Sequence, residues 1–208
     1  MASVGLVLGT SVAMAGPGFN NKYSVDEVTV ACTDDAGNVV GTVTYGGPLK
    51  MWPPNHKLQD VTITAAAVDP DDAVTLETAG THDEFQEDGT EMVGAGNTDT
   101  DVSPPAASAA GTGSATTTHA LRSERSGQGD GRTYTLDWQA KFTDSDMDGS
   151  SAGSTPYVEA TCGSADLDMS GFEPNADAFL VEVPHDMRCG ADWKGGNNGS
   201  GGNGQCDG

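Results

Sequence analysis

The chain has 208 residues, with 31 acidic against 9 basic side chains and a formal net charge of −22. That charge repels nucleic acid and anionic lipid and argues against both as partners, and no apolar run approaches the ~18 residues that a membrane span needs. With 29 glycines, 10 prolines and 6% aromatic residues, the composition is that of an all-β protein with many short turns. The acidic surplus suits cations and reads first as a solvated surface from a saline or calcium-rich setting.

At the start, Val4 to Leu8 is a short apolar core, followed by Ala13-Met14-Ala15 ahead of Gly16-Pro17. No basic segment precedes it, yet small residues so spaced resemble a signal-peptidase site. Residues 1–15 therefore read as a signal peptide, and the chain as secreted, extracellular or cell-surface.

Val25 to Cys32 then alternates, with Val28, Val30 and Cys32 on one face. Across the turn Asp34-Asp35-Ala36-Gly37-Asn38, Val39, Gly41, Val43 and Tyr45 share a face, which predicts a hairpin. Next comes Leu49 to Leu58, where Pro53-Pro54 enforces an extended path. It suits an edge or a corner where the chain changes sheet, with Asn55 and His56 tying off backbone groups. Asp60 to Val68 reads as a strand with Val61, Ile63, Ala65 and Ala67 inward. After Asp69-Pro70-Asp71-Asp72, Val74 to Thr78 follows with Val74 and Leu76 inward.

Residues 79–115 are rich in acidic and small side chains and read as a long exposed loop. Thr116 to Arg122 returns as a strand, and the glycine-rich run from Ser126 to Gly131 forces a reversal. From Arg132 to Asp144, Tyr134, Leu136, Trp138, Ala140 and Phe142 fall on every second residue, with polar side chains between. A period of two with one apolar face is a half-buried strand, and the rest of the chain is expected to cover this row. Residues 144–177 form a second acidic insertion holding a short strand at Tyr157 to Cys162. Ala178 to Val183 closes the fold with Phe179, Val181 and Val183 inward. Residues 188–208 are a Gly/Asn-rich tail. Seven or more short strands separated by turn signals predict an antiparallel β-sandwich over residues 22–187.

Four cysteines, Cys32, Cys162, Cys189 and Cys206, include no Cys-x-x-Cys pair, which favours disulfides over a zinc or redox centre. Three pairings are open. The alternating rows point Cys32 and Cys162 at a common core, which favours Cys32–Cys162 with Cys189–Cys206.

The clearest candidate chemistry is Asp144-Ser145-Asp146-Met147-Asp148-Gly149. Alternating carboxylates can converge on one cation while glycine permits the turn around it, so Asp144, Asp146 and Asp148 are candidate calcium ligands. The twelfth position is Thr155 where a bidentate Glu is expected, which brings the run closer to the shorter calcium loops of extracellular repeats. Asn97, Asp99 and Asp101 form a poorer copy without the glycine. His56, His82, His119 and His185 lack zinc-ligand spacing, and His56 and His185 are expected to satisfy backbone groups. Asp83, Glu84, Glu87 and Asp88 supply carboxylates but no evidence of a cleft, and neither a serine elbow nor a phosphate loop occurs. Arg122, Glu124, Arg125 and Arg132 lie close together and are expected to pair with carboxylates across strands, fixing register.

Three patches complete the pattern: Leu49-Lys50-Met51-Trp52-Pro53-Pro54-Asn55-His56-Lys57, Leu121 to Thr135, and Val183-Pro184-His185-Asp186. In this order they resemble the immunoglobulin-like, hyalin-repeat-like modules of secreted bacterial proteins, which carry a WPPNHK opening, a RAERSGxGxGRxYT centre and a VPHD close. The resemblance covers about residues 47–187. It implies an immunoglobulin-like sandwich, one non-catalytic unit among several, with Tyr134 at the position of a tyrosine corner. The insertions at 79–115 and 144–177 depart from the pattern. The expectation is thus a non-catalytic spacer, adhesion or recognition unit stiffened by calcium, with an extracellular protein or polysaccharide as partner. The alternative is a carbohydrate- or polymer-binding module built on the insertions. A metal-dependent hydrolase is least favoured.

Overall fold

The computed structural model describes residues 25–52, 54–83, 101–124, 131–144, 159–165, 167 and 174–184. Along them run β1 (Val25–Thr33), β2 (Val39–Pro48), β3 (Leu58–Ala67), β4 (Ala73–His82), β5 (Val102–Ser103), β6 (Ala106–Thr112), β7 (Ser114–Arg122), β8 (Gly131–Thr143), β9 (Ala160–Gly163) and β10 (Phe179–Pro184). One sheet has the order β1-β2-β3-β7-β5; the other is β10-β8-β4-β6, with β9 alongside β8. The strand pairings are antiparallel. Among the described residues there is no helix. The chain is an all-β sandwich, as the alternating rows predict.

The row on β8 is its centre. Tyr134, Leu136, Trp138, Ala140 and Phe142 are all fully buried. Trp138 stacks on Phe179 of β10 at 5.8 Å, and Phe179 lies 5.4 Å from Tyr45 of the opposite sheet, so three rings bridge the layers. Their polar tips are satisfied, as buried Trp and Tyr require. Trp138 Nε1 donates to the Asp177 carbonyl at 3.1 Å, and the Tyr45 hydroxyl to that of Pro48 at 2.8 Å. Along one edge β8 changes partner, pairing β10 up to Leu136 and β9 from Gln139. Ser164 fills the gap, accepting the Trp138 N–H on its hydroxyl at 2.9 Å and donating its own N–H to the Trp138 carbonyl.

Cys32 and Cys162 form a disulfide that ties β1 to β9, with Cα atoms 5.8 Å apart and within the usual range. It joins an edge of one sheet to the strand beside β8 in the other. Gly37 turns the β1–β2 hairpin with φ +86°, a left-handed conformation that glycine adopts without steric cost. The ladder shifts register between Cys32 and Thr33. This corrects the expected inward row: Val40 is 2% exposed, whereas Val39 is 49% exposed. Gly41 stays inward because a Cβ there would meet the Phe142 ring at 2.3 Å.

After β2 the chain leaves its sheet, as the paired prolines suggest. The Met51 N–H donates to the Glu182 carbonyl at 2.8 Å and the Glu182 N–H to that of Leu49 at 2.9 Å. This short parallel bridge lies along β10 before the chain returns as β3.

The loop expected over 79–115 is corrected at both ends. β4 continues to His82, and residues 102–112 form β5 and β6. Alanine, serine and glycine have weak strand preference, so composition hid a strand that β4 holds by ladder hydrogen bonds from Ala73–Thr112 to Ala79–Ala106. Within the 144–177 insertion, β9 covers Ala160–Gly163, while Tyr157 and Val158 of the expected strand lie outside the described residues. The leader (1–15), the loop centre 84–100, Arg125, Asp146, Asp148, His185, Cys189, Cys206 and the tail 188–208 lie outside the described residues.

Candidate functional site

The three patches that carry the resemblance meet at one end of the sandwich. Ser123 at the end of β7 accepts the Asn55 and His56 N–H groups on its carbonyl at 2.9 and 3.0 Å, and donates its own N–H to Lys57 at 2.8 Å. The Lys57 N–H donates to the Asn55 side chain at 3.0 Å. Beside this clasp, Arg132 of β8 is opposite Val183 of β10. The Tyr134 hydroxyl donates to the Arg122 carbonyl at 2.7 Å.

A charged cluster is packed beneath. Arg132 Nη1 lies 2.8 Å from Asp101 Oδ2, donates to the Tyr134 hydroxyl at 3.1 Å, and its guanidinium sits 5.7 Å from the Tyr134 ring centre. Arg122 Nε is 3.5 Å from Asp101 Oδ1 and 3.8 Å from Glu124, and its Nη1 donates to the His56 carbonyl at 2.9 Å. His82 Nε2 is 3.6 Å from Asp101 and its ring meets Tyr134 edge-on. His56 Nδ1 is 3.1 Å from Glu124. Arg132 and Glu124 are sealed from water, while His56 faces it. Burial pushes the Tyr134 phenol up to about 12, and the hydrogen bond and positive charge of Arg132 offset only part of that rise. Among the described residues, Arg122 and Arg132 meet Asp101 and Glu124 here, so these buried charges have partners of opposite sign.

The expected pairing of the arginines with carboxylates holds for Arg122 and Arg132. What sequence reasoning missed is that His82 and Asp101, both placed in a loop, are the partners. For His82 a signal existed: Val74, Leu76, Thr78, Gly80 and His82 continue one period of two, ending opposite Tyr134. Asp101 carries no such signal. His119, fully buried, donates from Nδ1 to the Pro104 carbonyl at 2.6 Å and meets the Thr78 hydroxyl through Nε2 at 2.8 Å.

The opposite end of the sandwich is acidic. Ala73 and Thr143 are the last pair of the β4–β8 ladder, and the residues that follow it on the two strands, Asp72 and Asp144, are both buried. The β1–β2 turn lies at the same end. Withdrawal from water raises the Asp34 carboxyl, but hydrogen bonds from the Asn38 side chain and from the backbone of Asn38, Ala36 and Gly37 outweigh it and hold the group below its ordinary range. Of the candidate calcium ligands, the structure places Asp144 here, while Asp146 and Asp148 lie outside the described residues. Among those residues no group of three or more His, Cys, Asp or Glu side chains is arranged to hold a metal.

A third feature lies on the outer face of the β10-β8-β4-β6 sheet. A cleft of about 390 Å³ is lined by Glu77, Thr78 and Ala79 of β4, Ala106, Ala107 and Ser108 of β6, and Leu167. Leu167 belongs to the second insertion, which leaves β9 and returns at Asn175, whose side chain accepts the Gly163 N–H at 2.9 Å.

No family model matches the chain, and neither a curated protein nor a solved structure does.

Proposed function

We propose that this chain is a secreted or cell-surface, non-catalytic immunoglobulin-like module that acts as a spacer, adhesion or recognition unit. The observation that carries the reading is the Tyr134–Arg122 bond at the opening of the central strand. It falls where an immunoglobulin-like domain places its tyrosine corner, on strand F after the E–F turn. The strand order supports it. With β8 as F, the neighbours β10 and β4 stand as G and C, and β2-β3-β7-β5 follows the A-B-E-D order of the other sheet. A buried cluster of paired charges where the patches meet favours mechanical rigidity over turnover.

The reading includes a calcium ion at Asp144, Asp146 and Asp148. The place of Asp144 at the head of an Asp-x-Asp-x-Asp-Gly run favours it, because alternating carboxylates can converge on one cation.

The test is expression with residues 1–15 in a bacterial host, followed by fractionation. The recovered protein is melted with and without calcium, and incubated with polysaccharide and peptide substrates. Export, a calcium-dependent rise in melting temperature and no turnover are expected. Retention in the cytoplasm or a turnover signal that chelation removes would overturn the proposal in favour of the hydrolase reading.

A further inference from the structure

We draw no further inference here: the strongest candidate, the row of Thr29, Thr44, Thr64 and Thr116 in register across β1, β2, β3 and β7 on the outer face of their sheet, rests on hydrogen bonds among its own hydroxyls, and nothing in the structure shows what covers it.

Discussion

The hydroxyl of Tyr134 reaches back to the carbonyl of Arg122 at 2.7 Å while accepting a hydrogen bond from Arg132 at 3.1 Å. One phenol thus joins the end of β7, the start of β8 and the buried ion pairs. Tyr134→Phe keeps the ring and removes both contacts, taking one hydrogen bond from the Arg122 carbonyl and one from the Arg132 guanidinium. The expected cost is about 1–3 kcal/mol, read as a fall of several degrees in melting temperature at constant denaturant slope.

The same burial sets an alkaline limit. An unfolded tyrosine ionises near pH 10, whereas Tyr134 in the fold is pushed up to about 12. Between those values the unfolded state gives up a proton that the folded state keeps, so stability falls as pH rises through the window. The loss amounts to about 2–3 kcal/mol across it. Urea melts from pH 9 to about 12 should show this decline, and Tyr134→Phe should remove this contribution. On the acid side, the depressed carboxyl of Asp34 contributes stability above its unfolded value, lost as pH falls through the lower folded one. Asp34→Asn should flatten that part of the profile.

Asp101 serves both Arg122 and Arg132 from a nearly buried position. Asp101→Ala removes the carboxylate that Arg122 and Arg132 share, at a cost of about 3–5 kcal/mol. Asp101→Asn combined with Arg132→Met should cost less than the sum of the single changes, with a coupling of about 1–3 kcal/mol. Additive losses in that cycle would mean the pair contributes only through packing.

The Cys32–Cys162 disulfide spans 130 residues of sequence, so it restricts the unfolded chain strongly. Replacing both cysteines with alanine should cost about 2–5 kcal/mol, and reductant should destabilise the native protein but not this variant. Mass mapping of the intact chain tests the companion pairing expected for Cys189 and Cys206.

Much of the sandwich is local and therefore legible. Val61, Ile63 and Ala65, the β8 row, and Phe179, Val181 and Val183 are all buried, as alternation alone predicts. A strand with one apolar face has no other way to hide it. The bulge after Cys32, which turns Val40 inward in place of Val39, depends on how the partner strand lies. β6 was equally hidden, because seven small residues signal a strand only when another strand offers them hydrogen bonds.

The chain's own residues determined the all-β class, the central aromatic row and the inward faces of Cys32 and Cys162, since each follows from a period of two along a single stretch. Only the tertiary structure decided that His82 and Asp101 meet Arg122 and Arg132, and that β6 joins its sheet beside β4. Those contacts join segments whose spacing along the chain carries no period, and burial selects them by charge balance and available space once the two sheets have closed.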